Sequence, residues 1–230
     1  MSMQMLKLHW RAARWPMLPV LVAAFGLPLM AGWSTWEASG AADSLEATSA
    51  WSVIDGAAIW GLGFPVLAAI AGAVIGLCAW TWDHRHDHIY ALSLPIARWK
   101  YVAIKFGGGT ILVAATTGVF ALGAGLSSLL ADLPVGIRGY PGNLSIHFFV
   151  ATQTAFALLF ALASGTMRTA TIFIGAVFAL VIAGQPTLDL LGGFWAPIGA
   201  IDLGQLAHSL LIENDGPLSI FSGNWMLFDV

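Results

Sequence analysis

Apolar positions in this chain come in long unbroken runs instead of alternating with polar ones. Five stretches contain no Asp, Glu, Lys or Arg: 15–36, 56–82, 106–131, 139–167 and 169–188. A helix rises about 1.5 Å per residue, so each stretch reaches the roughly 20 apolar residues that cross a hydrocarbon core about 30 Å thick. Barrel strands would alternate, and a helix satisfies its own backbone hydrogen bonds in lipid. The expected fold class is therefore all-α, a polytopic integral membrane protein of five transmembrane helices at 16–36, 57–82, 102–131, 146–166 and 169–190. Around these spans the single transmembrane domain 1–230 divides into an N-terminal interfacial helix at 1–15, an inner loop at 83–100 and an outer re-entrant or hairpin region at 191–230.

Composition agrees: 58% of residues are hydrophobic and 9% charged, against about a quarter charged in soluble domains. The placement of charge sets the orientation. Lys7, Arg11, Arg14, Arg85, Arg98, Lys100, Lys105 and Arg168 fall on one side of the expected spans and only Arg138 on the other, so the N-terminus is expected inside. Trp15 at one end of the first span, Trp33 and Trp36 at its other end, and Trp80 and Trp82 closing the second mark headgroup boundaries at the same places.

Local features refine this plan. Lys7, Trp10, Arg11, Arg14 and Trp15 read as anchors of an amphipathic helix on the inner membrane surface, held by the lipid bilayer and its anionic headgroups. Ala68, Gly72 and Gly76 recur every fourth residue, a spacing that lets two helices approach closely, and the glycine run 107–109 is expected to serve packing or a local bend. Thr116, Thr117, Thr152 and Gln153 are neutral polar groups within spans, candidates for a translocation path or, more readily, a helix interface. No ionisable residue falls near mid-span, which argues against a proton relay or a haem ligated by a buried His. His84 and His88, with Asp87, have metal-ligand spacing on a helix, but nothing else in the sequence completes a site. Cys78 has no partner for a disulfide. The closing residues 220–230 read as a further span about to begin.

The segment after the second span is the most distinctive. Asp83, then Tyr90, Leu92, Leu94 and Pro95, then Arg98, Tyr101 and Lys105 follow in order. This pattern, together with the arrangement of spans, resembles the permease subunits of type 2 ABC exporters. The resemblance implies a transmembrane permease in a bacterial cytoplasmic (inner) membrane, paired with a second permease copy or a paralogue. It also implies an inner loop that seats on cytoplasmic ABC ATPase subunits through Asp83, Arg85, Asp87, Tyr90, Leu92, Pro95, Arg98 and Lys100. ATP and Mg would belong to that partner. This chain has no G-x-x-x-x-G-K-[ST] loop, so it is not expected to be an enzyme or to bind a cofactor, and nothing suggests a nucleic-acid partner. The family's sixth span and basic tail are missing from these residues. The alternative expectation is an accessory or scaffold subunit of a larger membrane complex without transport activity.

Overall fold

The computed structural model describes residues 2–41, 60–85, 97–131, 138–165, 168, 171–176, 218–221 and 225–229. Within them lie α1 (Ser2–Ala41), α2 (Trp60–Arg85), α3 (Arg98–Leu130), a two-residue strand β1 (Arg138–Gly139), α4 (Pro141–Ala163), a single 3-10 turn (Ser219–Phe221) and β2 (Phe228–Asp229). Four helices among the described residues contain segments long and apolar enough to cross a membrane: Ala13–Ser34, Gly63–Thr81, Arg98–Leu130 and Pro141–Ala163. The protein is an α-helical membrane protein. Of the fifth expected span only 171–176 are described, and they are helical; 86–96 and 177–217 lie outside the described residues.

Two expectations are not confirmed by the described residues. The N-terminal residues are continuous with the first span: α1 is one helix of 40 residues, with Pro16, Pro19 and Pro28 inside it. A proline lacks only one backbone donor, a loss that membrane helices tolerate. Near the end of the chain the described residues Phe228–Asp229 are extended.

Two core clusters fix the direction of every helix. Ala13 and Met17 of α1, Ile75, Ala79 and Trp80 of α2, Tyr101, Leu112 and Val113 of α3, and Phe156, Phe160 and Ala163 of α4 make one cluster. Ala24 and Ala31, Phe64 and Ala68, Phe120 and Ala124, Leu144 and Phe148 make the other. Successive helices therefore run antiparallel, in an up-down-up-down bundle. Packing is closest between the two parallel pairs, α2 with α4 and α1 with α3, while α2 and α3 meet more sparingly across the middle.

Small residues allow that closeness. A Cβ added at Gly72 would fall 2.5 Å from the Thr152 carbonyl oxygen and 2.7 Å from the Phe156 nitrogen, and one at Gly123 would fall 2.5 Å from the Phe25 carbonyl oxygen. Backbone meets backbone at both places, as the Ala68, Gly72, Gly76 spacing implies for α2. Gly109, the last of the glycine run, faces the Phe156 ring.

At the end opposite Tyr101, the chain's last residues return to the bundle. Arg138 and Gly139 pair antiparallel with Asp229 and Phe228, and the Tyr140 amide donates to the Leu227 carbonyl at 2.9 Å. Trp225, Leu227 and Phe228 are buried in the same cluster as Phe64 and Phe148. Pro141 then opens α4, its fixed φ suiting the first turn, where no intrahelical donor is needed.

The glycine contacts yield a paired prediction. In detergent-solubilised protein, Gly72→Ala forces α2 and α4 apart and lowers stability by about 1–3 kcal/mol. Gly118→Ala, with nothing within 4 Å of the added carbon, is neutral or stabilising by up to about 1 kcal/mol through helix propensity. Thermal unfolding of the two variants checks the contrast.

Candidate functional site

The charges that matter here sit at the ends of α2 and α3. On α2, Ala79 and Asp83 lie one helical turn apart, and Trp80 and His84 form a second such stripe beside them. On α3, Tyr101 and Lys105 are likewise one turn apart. The bundle brings these three stripes together in the cluster that contains Trp80 and Tyr101.

Asp83 is 1% exposed and Lys105 5%. The Lys105 ammonium donates to Asp83 Oδ2, forming a salt bridge, and to the Ala79 carbonyl oxygen at 2.8 Å. The Tyr101 hydroxyl lies 2.8 and 3.0 Å from the two Asp83 oxygens. The ammonium also stands 4.4 Å from the Trp80 ring centroid and 5.1 Å from that of Tyr101, where a cation meets the negative face of an aromatic ring. A charge removed from water is costly unless paired and hydrogen-bonded, and here both charges are.

The second stripe ties the same end of α2 to α4. Trp80 Nε1 donates to the Phe160 carbonyl at 2.9 Å. His84 Nε2 lies 2.8 Å from the Ala163 carbonyl; a carbonyl only accepts, so this ring nitrogen bears the proton. Three helices are thus clasped at one level, immediately before the chain leaves α2 for 86–96.

Of the residues expected to meet a partner, Asp83 is turned inward and fully engaged. Arg98 and Lys100 are exposed at the start of α3. Arg85 ends α2 but its side chain is not among those described, and Asp87, Tyr90, Leu92 and Pro95 lie outside the described residues. Among the expected anchors Trp10, Arg11, Arg14 and Trp15 are exposed, and Lys7 lies in α1 with its side chain undescribed. Thr116 is buried and donates to the Leu112 carbonyl of its own helix at 2.9 Å. Gln153 Nε2 donates across to Thr110 Oγ1 at 3.3 Å, a helix-interface contact. Thr117 Oγ1, Thr152 Oγ1 and Gln153 Oε1 are buried with no hydrogen-bond partner among the described residues. His84 is near no cluster of three metal-ligating side chains among the described residues, while Asp87 and His88 lie outside them.

Sequence reasoning passed over the convergence of Asp83, Tyr101 and Lys105. One signal for it was present: a tyrosine and a lysine one turn apart at the mouth of an otherwise apolar helix. Compared with known proteins, the chain matches no family model, no curated protein and no solved structure.

Removing one member of the clasp strands another. Lys105→Met leaves the Asp83 carboxylate buried and unpaired, and is expected to destabilise the protein by about 3–5 kcal/mol. Tyr101→Phe removes a hydrogen bond to a charged group, at a cost of about 1.5–3 kcal/mol. Unfolding midpoints in detergent should rank wild type above Tyr101→Phe above Lys105→Met.

Proposed function

We propose that this chain is the transmembrane permease subunit of an ATP-driven exporter, one that works beside a second copy or a paralogue and takes its mechanical input from cytoplasmic ABC ATPase subunits. The observation that supports this reading best is the clasp. Asp83, Tyr101 and Lys105, the residues of the exporter-like pattern that flank its inner loop, converge on one buried ion pair. A loop pushed by a partner moves the bundle only if its two ends are held; otherwise the displacement is absorbed in the loop. Here the end of α2 and the start of α3 are locked together, and Trp80 and His84 extend the lock to α4.

On this reading the end of the bundle with Arg11, Arg14, Arg98 and Lys100 faces the cytoplasm, in keeping with the preference of basic residues for that side. Arg85 and Arg98 meet the ATPase, while Asp83, Tyr101 and Lys105 are positioning residues that transmit the displacement. ATP and Mg are held by the partner, whose differential affinity for two arrangements drives the change.

Co-purification tests the proposal. The tagged full chain, solubilised in mild detergent, should bring down a nucleotide-binding subunit. ATP hydrolysis by that complex should fall about tenfold or more in the Arg85→Glu/Arg98→Glu variant, as expected when a charged contact is reversed. Isolation without any nucleotide-binding subunit, or hydrolysis indifferent to both reversals, would favour the scaffold reading instead.

A further inference from the structure

Outside the clasp, cations and tryptophans at the same end of the bundle are paired in a way the exporter reading does not use. The Arg14 guanidinium stands 5.6 Å from the Trp15 ring centroid, and the Lys100 ammonium 5.5 Å from that of Trp99. Trp15 and Trp99 are each 69% exposed. The pairs lie on the parallel neighbours α1 and α3, at the level of the cluster that joins Ala13 and Met17 to Tyr101.

Each pair crowns an outward apolar stripe of its helix. On α1, Arg11 and Trp15 continue into exposed Leu18 and Val22; on α3, Lys100 continues through exposed Ala103 and Gly107 into Ile111. Such spacing keeps residues on one helical face. The outward apolar face thus turns cationic and aromatic within about one turn, the residue change that marks a headgroup layer. Asp83, the one carboxylate at this end whose side chain is described, is already held by Lys105, so it offers these cations no counterion.

We propose that these two Trp–cation pairs form a binding surface for the phosphate-bearing headgroups of anionic phospholipids. Lys100 then faces lipid, although the exporter-like pattern would assign it to a protein partner. Arg98, two residues earlier and about 200° round the helix, is left for the protein contact. This inference stands whether or not the chain is a permease, because it rests only on the bundle and its bilayer.

The test is lipid retention by the full chain purified from detergent micelles containing equal amounts of phosphatidylglycerol and phosphatidylcholine, with the bound lipids quantified by mass spectrometry. A basic residue near an anionic surface enhances binding by about fivefold. The unaltered protein should therefore retain phosphatidylglycerol enriched about fivefold or more over phosphatidylcholine. The Arg14→Gln/Lys100→Gln variant should return to the bulk ratio with an unchanged melting temperature, and Arg98→Gln should keep the enrichment. Raising salt from about 0.1 to about 1 M, which shortens the screening length from about 10 to about 3 Å, should reduce the enrichment in the unaltered protein. A bulk ratio in the unaltered protein, or an enrichment that survives both substitutions and high salt, overturns the proposal. So does a variant that keeps its lipids but loses a co-purifying protein, because the surface would then be a protein contact.

Discussion

A carboxylate and an ammonium buried at the end of a membrane bundle constrain everything around them. Neither Asp83 nor Lys105 can be left alone there, because an unpaired buried charge costs several kcal/mol, a large share of a folded domain's margin of stability. The pair is therefore surrounded: the Tyr101 hydroxyl, the Ala79 carbonyl and the Trp80 face take up its remaining hydrogen-bonding and electrostatic capacity. Since hydrogen bonds are directional, this arrangement fixes the distance and the rotation of α2 against α3. Trp80 and His84 then fix α2 against the end of α4.

The opposite end is joined by different physics. Phe64 meets Phe120 edge-on at 5.5 Å, Phe120 stacks on Phe148 at 4.1 Å, and Trp225, Leu227 and Phe228 fill the cluster beside them. These contacts contribute area more than direction. Between the two ends the parallel pairs approach through Gly72 and Gly123, where packing replaces the hydrophobic effect that lipid does not supply. One end of the bundle is thus joined by a buried ion pair and its hydrogen bonds, the other by aromatic packing and a two-residue strand pairing.

How much of this the sequence revealed follows from the range of each interaction. The four described membrane helices could be read from charge-free runs, because hydrocarbon thickness acts on each segment separately. The Gly72 and Gly76 contact was legible for the same reason, as a period within one helix. Asp83 was not legible as a buried residue. Its partner is 22 residues away across a loop, and as the first charge after an apolar run it looked like the start of that loop. The continuity of α1 was obscured by Lys7, Arg11 and Arg14, which read as a surface segment apart from the apolar span, although one helix runs through both. The seating of Phe228 was hidden because a two-residue pairing with Gly139 leaves no periodic trace in either segment. Trp99 and Lys100 gained meaning only once exposure placed them on the same outward face as Ala103 and Gly107.

Asp83 and Lys105 act as one unit, and a double-mutant cycle measures that directly. Thermal or chemical unfolding of the wild type, Asp83→Asn, Lys105→Gln and the double variant, all in the same detergent, gives the coupling energy between the two positions. Groups in one buried network couple by up to about 3 kcal/mol. The expected coupling is about 2 kcal/mol or more, with the double variant recovering much of what either single change loses. Additive effects, with coupling within about 0.5 kcal/mol of zero, would contradict the clasp.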